Sequence, residues 1–158
     1  ARRAVASGMN IIYHNRNRLA EVIENEYGAK HVSKEELLKN ADFISLNAPY
    51  TPETHKMIGE KELNMMKSTA IFINTARGDM VDEKALANAL KENKIWAAAL
   101  DVFENEPHII PELLELDNVL LAPHAGTKTI EDRIKMAIEM CHNILGFYEG
   151  TYPISRVN

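Results

Sequence analysis

The stretch TAIFINT, residues Thr69–Thr75, is nearly continuous in apolar and β-branched residues. A run of this length and composition is typical of a strand that helices cover on both faces. The same pattern recurs on either side of it, which predicts four further strands: Asn10–Tyr13, Asp42–Ala48, Ile95–Leu100 and Asn118–Ala122. We therefore expect five strands buried on both faces.

Amphipathic segments with helix-start and helix-end signals separate these runs. Gly28 is expected to end one helix, and Ser33 with its capping-box partner Glu36 is expected to begin the next. Asp82 can cap a third helix, and Thr129 precedes a long apolar stripe that ends near residue 150. Strands that alternate with helices predict an α/β fold, with a parallel sheet and helices on both of its faces.

Composition excludes several classes of function. The 158 residues carry a formal net charge of -5, which is not the electrostatic pattern of a nucleic-acid binder. No apolar run approaches the roughly 20 residues of a membrane-spanning helix, and no signal sequence is present, so we expect a soluble cytoplasmic protein. The single cysteine, Cys141, cannot form an internal disulfide or a cysteine metal cluster, and we expect it in the core. No metal site is predicted.

Chemically distinctive residues follow the predicted strands. Ligands bind at the carboxyl ends of the strands in an open parallel sheet, so these positions are candidates for a site. A guanidinium, two carboxylates and an imidazole suit an acid–base site for an anionic substrate. The residues concerned are Asn15 and Arg16 after the first strand, Ala48 at the end of the second, Thr75, Ala76 and Arg77 at the third, Asp101 and Glu106 after the fourth, and His124 to Gly126 after the fifth.

Each of these side chains also has a purely structural interpretation. His124 could be a structural histidine, and Arg77 could cap a carbonyl or pair with Asp79. Glu106 could be an ordinary loop residue, and Asp101 could be a turn former. The functional interpretation is favoured because independent strand assignments place all four functional candidates at one sheet edge.

Three spaced motifs resemble the D-2-hydroxyacid dehydrogenase family. They are NTARGDMVDEKAL (Asn74–Leu86), AALDVFENEP (Ala98–Pro107) and APHAG (Ala122–Gly126), and the stretch DFISLNAPYTPET (Asp42–Thr54) adds to them. Three motifs in the right order are far more specific than a lone glycine pattern. The resemblance covers nearly the whole chain and implies a Rossmann-type fold.

By this resemblance the protein is an oxidoreductase that transfers a hydride between NAD or NADP and a small 2-hydroxy or 2-oxo acid. Arg77 would bind the carboxylate and carbonyl of the 2-oxo acid, His124 would protonate the carbonyl oxygen, and Glu106 would pair with His124. A carboxylate beside an imidazole favours its protonated form, which agrees with that role. Asp101 would contact the nicotinamide end. The expected cofactor-binding residues are Asn15, Arg16, Ala48, Thr75, Ala76, Asp101, His124 and Gly126. A glyoxylate or hydroxypyruvate reductase and a phosphoglycerate dehydrogenase both remain open.

One part of the family pattern is missing, because the seven glycines include no GxGxxG loop. Ala1–Gly8 corresponds to the second half of the helix after that loop, so we expect the first nucleotide-binding strand and part of the substrate domain to lie upstream. Residues 1–128 would be an incomplete dinucleotide-binding domain. Residues 129–158 would be a C-terminal helix and tail that return toward the missing substrate domain, and the final TYPISRVN resembles the family's C-terminus.

The missing segment also affects stability. The first strand is central in the strand order 3-2-1-4-5-6, so the isolated 158 residues are expected to lack dehydrogenase activity and cooperative unfolding.

The cofactor and the class of function keep alternatives. The position that usually holds an acidic residue for the adenosine ribose is Asn15, followed by Arg16 and Arg18, which favours NADP. Alternatively, the two arginines are a solvated helix start. The rival to an enzyme is a dinucleotide-sensing interaction protein that resembles co-repressors of this family, and a third alternative is an inactive fragment. The resemblance also implies a homodimer for the complete protein.

Overall fold

The computed structural model describes residues 1–151, so Tyr152–Asn158, most of the predicted C-terminal tail, lie outside the described residues. The chain divides into two compact units, Ala1–Pro123 and His124–Asn158. The division falls a few residues before the predicted domain boundary at residue 128.

Strands and helices alternate along the first unit. The strands are β1 (Ile12–Tyr13), β2 (Lys30–His31), β3 (Phe43–Leu46), β4 (Ile71–Asn74), β5 (Ala97–Leu100) and β6 (Val119–Leu121). The helices are α1 (Arg2–Ala6), α2 (Glu21–Tyr27), α3 (Lys34–Asn40), α4 (Glu60–Leu63), α5 (Glu83–Lys91) and α6 (Pro111–Leu114), with a 3-10 turn at Gly78–Met80. The second unit contains α7 (Ile130–Tyr148).

All strand pairs in the described chain are parallel, and they form two sheets. One contains β1 and β2, and the other has the order β3-β4-β5-β6. The last residues of β3, β4, β5 and β6 lie side by side, so the four carboxyl ends form one edge: Leu46, Asn74, Leu100 and Leu121. This arrangement confirms the predicted Rossmann-type class. Within residues 1–151 no strand pairs with both β1 and β3, so the sheet is divided where the predicted order places its first strand.

The predicted helix ends are confirmed, and of the predicted Ser33–Glu36 capping box the structure shows the bond to the Ser33 side chain. Gly28 adopts the left-handed conformation with φ 57° and ends α2. The Ser33 side chain accepts a hydrogen bond from the backbone N–H of Glu36 at the start of α3. Asp82 and Thr129 cap α5 and α7 in the same way. Local side-chain chemistry at these positions therefore fixes where the helices begin and end.

The hydrophobic core is formed by the four-stranded sheet and the helices packed against it, and it includes the fully buried Phe72, Leu86 and Ile95. The expectation that all strands are buried on both faces is wrong for the outer strands, since Phe43 in β3 is 51% exposed and Leu120 in β6 is 65% exposed. β3 and β6 are the first and last strands of this sheet. In both strands, every second side chain points away from the core.

The prediction that Cys141 belongs to a core is also wrong. Cys141 is exposed, and Gly146 is the one buried residue of α7. The apolar stripe of α7 is therefore uncovered among the described residues, and Ile134, Ile144 and Phe147 are more than half exposed. None of the helices in residues 1–151 combines the length and the hydropathy needed to cross a bilayer.

Candidate functional site

A single buried side chain shapes the turn that carries Arg77. Asn74 ends β4 and is 1% exposed. Its side-chain amide donates a hydrogen bond of 2.9 Å to the backbone oxygen of Arg77, and its oxygen accepts one of 3.0 Å from the backbone N–H of Ala76. Because one amide satisfies both ends of this turn, the backbone conformation from Thr75 to Arg77 is fixed.

The Arg77 guanidinium is exposed at this edge of the sheet. Its Nη1 donates a hydrogen bond of 2.6 Å to the backbone oxygen of Ala76, so the structural interpretation of Arg77 as a carbonyl cap is partly realised. A guanidinium has five N–H donors, and this bond uses one of them. The arrangement therefore still allows a grip on a carboxylate with two parallel hydrogen bonds.

The segment after Arg77 lies directly against the loop that follows β5. A Cβ atom on Gly78 would lie 1.9 Å from the carbonyl carbon of Phe103, a distance that no side chain can occupy. Glycine is therefore required here by close approach of two backbones. As a result, the turn of Arg77 and the loop that leads to Glu106 are in contact.

The loop after β5 is held by its own backbone and by Glu106. The backbone N–H of Asp101 donates to the oxygen of Asn74 at 3.0 Å, which continues the pairing of β4 with β5 beyond the strand end. The backbone N–H of Phe103 donates to Oε1 of Glu106 at 3.1 Å. One carboxylate oxygen of the exposed Glu106 is thus oriented by the loop, and Asp101 is half-buried beside β4.

Four of the expected cofactor-binding residues lie along the same edge. Ala48 follows β3, Thr75 and Ala76 follow β4, and Asp101 follows β5, and the three strands end in register. Ala48 and Ala76 are half-buried and Thr75 is exposed. Small side chains beside a carboxylate and a hydroxyl leave room for a flat ring and offer partners to its amide, so these residues fit the nicotinamide half of a dinucleotide.

His124 begins the second compact unit, together with Ala125 and Gly126. Its backbone φ is 50°, in the left-handed region, which histidine adopts more readily than most residues that have a Cβ. Non-glycine residues in this conformation cluster at functional sites. The pairing of His124 with Glu106 stays a prediction, because the two residues belong to different units.

The loop after β1 carries the predicted adenosine-side residues. The Tyr13 hydroxyl accepts a hydrogen bond of 2.9 Å from the backbone N–H of Leu19 and donates one to Oε1 of Glu24. Arg18 binds the same carboxylate with two hydrogen bonds, Nε to Oε1 at 2.9 Å and Nη2 to Oε2 at 2.7 Å. These bonds from Arg18 and Tyr13 lower the pKa of the buried Glu24 to about 2.

These contacts distinguish Arg18 from Arg16, although the sequence pattern gives both arginines the same interpretation. Asn15, Arg16 and Arg18 are all exposed, but the Arg18 guanidinium is held by the Glu24 carboxylate of its own chain. The backbone oxygen of Asn15 is 3.4 Å from Nε2 of His31 in β2. Arg16 is therefore better placed than Arg18 to bind a negatively charged group.

Sequence reasoning missed the residues that shape the site. Asn74 and Gly78 both lie in the motif NTARGDMVDEKAL. The sequence pattern does not show that the Asn74 side chain holds a turn, or that Gly78 lies against the backbone of Phe103. Glu24 was hidden in the same way, because a glutamate in the first turn of an amphipathic helix is ordinarily exposed.

Comparison with known proteins agrees with this geometry. Residues 1–126 match the family model described as "D-isomer specific 2-hydroxyacid dehydrogenase, NAD binding domain". A glyoxylate reductase from Thermococcus litoralis is 52% identical over 158 residues, which are 100% of this chain and 47% of that protein. The chain thus spans about half the length of the curated relatives that it matches.

Solved structures show the same similarity. The crystal structure of a glyoxylate reductase from Paecilomyes thermophila matches with a TM-score of 0.86 and 48% identity, over 92% of this chain and 44% of that one. The NADPH-dependent glyoxylate/hydroxypyruvate reductase from Sinorhizobium meliloti, in complex with NADP and malonate, gives a TM-score of 0.86 and 31% identity over 93% and 45%. With its fold, its motifs and its family match in agreement, this chain belongs to the D-isomer specific 2-hydroxyacid dehydrogenase family, and its residues 1–126 correspond to the NAD-binding domain.

Proposed function

We propose that the whole gene product reduces a small 2-oxo acid to the 2-hydroxy acid, and catalyses the reverse oxidation, with NAD or NADP. When bound, the nicotinamide supplies or accepts the hydride at the carbonyl carbon of the substrate. Glyoxylate is the first substrate to test, because the relatives that match this chain with 48–52% identity are named glyoxylate reductases. Hydroxypyruvate and phosphohydroxypyruvate are the next candidates.

Three side chains carry the proposed chemistry. Arg77 binds the carboxylate and the carbonyl oxygen of the substrate through its planar guanidinium, which both neutralises and orients the acid. His124 gives its proton to the carbonyl oxygen as the hydride reaches the carbon. Glu106 pairs with His124 and favours the protonated imidazole. Asp101 contacts the nicotinamide end, with Ala48, Thr75 and Ala76 beside it and Gly126 near the imidazole.

The observation that carries the proposal is the contact between the two loops. Asn74 fixes the turn of Arg77, and Gly78 lies against Phe103, whose N–H orients the Glu106 carboxylate. The substrate-binding Arg77 and the Glu106 carboxylate that pairs with the proton donor must be held within about 1 Å of their working positions, so two loops in direct backbone contact suit this task.

The cofactor proposal concerns the loop after β1. We infer that NADP is accepted, because Asn15 stands where a ribose-binding carboxylate is usual and the exposed Arg16 can pair with a 2′-phosphate. NAD use is compatible with the same loop, since an asparagine can also bind a ribose hydroxyl. Ratios of kcat/KM for NADPH and NADH in the whole gene product distinguish the two.

The decisive experiment is a turnover assay. The whole gene product, purified with its upstream and downstream residues, is mixed with glyoxylate, hydroxypyruvate or phosphohydroxypyruvate and with NADH or NADPH, and the loss of absorbance of the reduced cofactor is followed. Turnover with at least one 2-oxo acid is expected. Tight NADH or NADPH binding without turnover on any of them would instead favour a dinucleotide-sensing interaction protein. Light scattering of the same sample tests the proposed homodimer.

A further inference from the structure

A buried carboxylate outside the proposed chemistry lies between the two loops of the site. Glu83 is the first residue of α5 and is 3% exposed. Its Oε1 accepts a hydrogen bond of 2.7 Å from the backbone N–H of Glu104. In return, Oε1 of Glu104 accepts one of 2.9 Å from the backbone N–H of Glu83. We call this reciprocal pair the Glu83–Glu104 clasp.

The clasp joins the segments that carry the proposed site residues. Glu83 lies six positions after Arg77, beyond the 3-10 turn, and Glu104 lies two positions before Glu106. Between them, the contact of Gly78 with Phe103 leaves no free space. The distance between the two loops is therefore set at two points, by backbone contact at Gly78 and by hydrogen bonds at the clasp.

A third segment reinforces the clasp from outside. The ammonium of Lys56 lies 3.2 Å from Oε2 of Glu104. Lys56 has a left-handed backbone with φ 46°, and its N–H donates to the oxygen of Asp79 at 2.8 Å. A left-handed lysine is strained, and its backbone bond to Asp79 helps to hold it there. Both carboxylate oxygens of Glu104 are thus engaged.

The second oxygen of Glu83, Oε2, is buried and has no hydrogen-bond partner among the described residues. Burial raises the pKa of Glu83 above its usual range, and the nearby carboxylates of Glu104 and Asp79 act in the same direction. The Glu104 backbone N–H and Lys56 oppose this rise.

We propose that Glu83 and Glu104 are positioning residues for Glu106 and Arg77: the clasp holds the loop of Glu106 at a fixed distance from the turn of Arg77. This inference rests on the proposed function, since it assigns these glutamates a task in that reaction. Neither glutamate touches the substrate. Their effect is on geometry, and a displacement of about 1 Å at a reacting group can lower the rate about 100-fold.

The test compares three substitutions in the whole gene product. Glu83→Ala removes the acceptor for the Glu104 N–H, and Glu83→Gln keeps that acceptor in a neutral side chain of the same size. Leu90→Ala, in the same helix, removes a core side chain that is 1% exposed and takes no part in the clasp. kcat, KM for the 2-oxo acid and the melting temperature are measured for each variant at one pH.

We expect Glu83→Ala to lower kcat about 10- to 100-fold. Glu83→Gln should restore kcat, and Leu90→Ala should lower the melting temperature while keeping kcat. Equal losses of kcat in Glu83→Ala and Leu90→Ala, at equal losses of melting temperature, would show a structural role only and overturn the proposal. If Glu83→Ala does not fold, Glu104→Ala replaces it, because Glu104 is only half-buried. A folded Glu104→Ala with normal kcat also overturns the proposal.

Failure of the proposed function would look different. A wild-type protein that turns over none of the 2-oxo acids overturns the proposed reaction, and the positioning role with it. An active wild type whose kcat survives the loss of the clasp overturns the positioning role alone.

Discussion

Asn74 and Arg77 are linked by a hydrogen bond of 2.9 Å from the buried amide of one to the backbone oxygen of the other. The bond runs from the end of a central strand to the exposed residue proposed to bind substrate. It makes the position of the guanidinium depend on the core, since Asn74 is held between neighbouring strands. A disturbance at Asn74 should therefore be felt both as lost stability and as weaker substrate binding.

Asn74→Asp tests this dependence, because it keeps the acceptor for Ala76 but replaces the donor to Arg77 with an oxygen. Two acceptors then face each other in a buried place, and we expect a loss of about 1–3 kcal/mol in the free energy of unfolding. KM for the 2-oxo acid should rise. Asn88→Asp, the same change at an exposed position of α5, is the control. Equal melting temperatures for the two variants would contradict the assigned role of Asn74.

Gly78→Ala should be severely destabilising, because the added methyl group would lie 1.9 Å from the carbonyl carbon of Phe103. The backbones must separate, at a cost of about 1–3 kcal/mol or more. Gly59→Ala is the matched control, since its nearest atom would be 3.8 Å away, at the end of a flexible side chain. Urea denaturation of both variants provides the comparison, and a Gly78→Ala protein as stable as Gly59→Ala would refute the close contact.

Glu24→Gln should change how stability depends on pH. The folded-state pKa of Glu24 is about 2, below its usual 4.5, so its carboxylate stabilises the fold above about pH 4.5 and loses this effect as the pH falls toward 2. The melting temperature of Glu24→Gln should therefore lie below that of wild type at pH 7, and the gap should close in acid. Glu26→Gln, at an exposed position of the same helix, should change the curve much less, because it removes only a 3.5 Å surface ion pair with Arg2. A pH-independent gap would argue against the network with Arg18 and Tyr13.

Replacing the proposed acid and clamp should affect turnover differently. His124→Ala should lower kcat roughly 100- to 10,000-fold, which is the usual contribution of a positioned general acid. Arg77→Lys should raise KM for the 2-oxo acid although the charge is kept, because an ammonium cannot make two parallel hydrogen bonds to a carboxylate. Steady-state kinetics of the whole gene product measures both. Near-normal turnover in His124→Ala would remove His124 from the reaction.

Asn15→Asp tests the cofactor proposal. A carboxylate at this position binds a ribose diol and repels a 2′-phosphate, so kcat/KM for NADPH should fall more than that for NADH. Arg16→Ala should also weaken NADPH selectively. Arg18→Ala is the informative comparison, because Arg18 is bound to Glu24 and its loss should lower stability as well as cofactor binding. An unchanged NADPH to NADH ratio in Asn15→Asp would mean that Asn15 does not face the adenosine ribose.

The sequence predicted those parts of the fold whose signals are local. Runs of apolar residues predicted five of the six strands in residues 1–151, and side-chain caps at Ser33, Asp82 and Thr129 located three helix starts. β2 was missed because its two residues, Lys30 and His31, are polar, and it forms by pairing with β1 rather than by burying a hydrophobic face. Strand pairing of this kind is a tertiary effect that no local pattern encodes.

The same distinction between local signals and tertiary effects applies to the residues of the candidate site. Arg77, Asp101 and Glu106 could be located by counting strands, because parallel strands bring their carboxyl ends to one edge. The residues that hold them could not, since the roles of Asn74 and Glu83 arise from burial, and burial of a polar side chain is decided by the packing of distant segments. Burial of the charged Glu24 likewise depends on Arg18 and Tyr13 approaching it together.

The division of the strands into two sheets has a consequence for motion. The sheet of β1 and β2 has two residues in each strand, so a local opening there breaks few hydrogen bonds, whereas the four-stranded sheet must open cooperatively. Amide hydrogens such as that of Val32 should accordingly exchange with solvent much faster than that of Asp101. In the 158-residue chain, Asn15 and Arg16 are therefore expected to extend from a segment that opens more readily than the segment that carries Arg77.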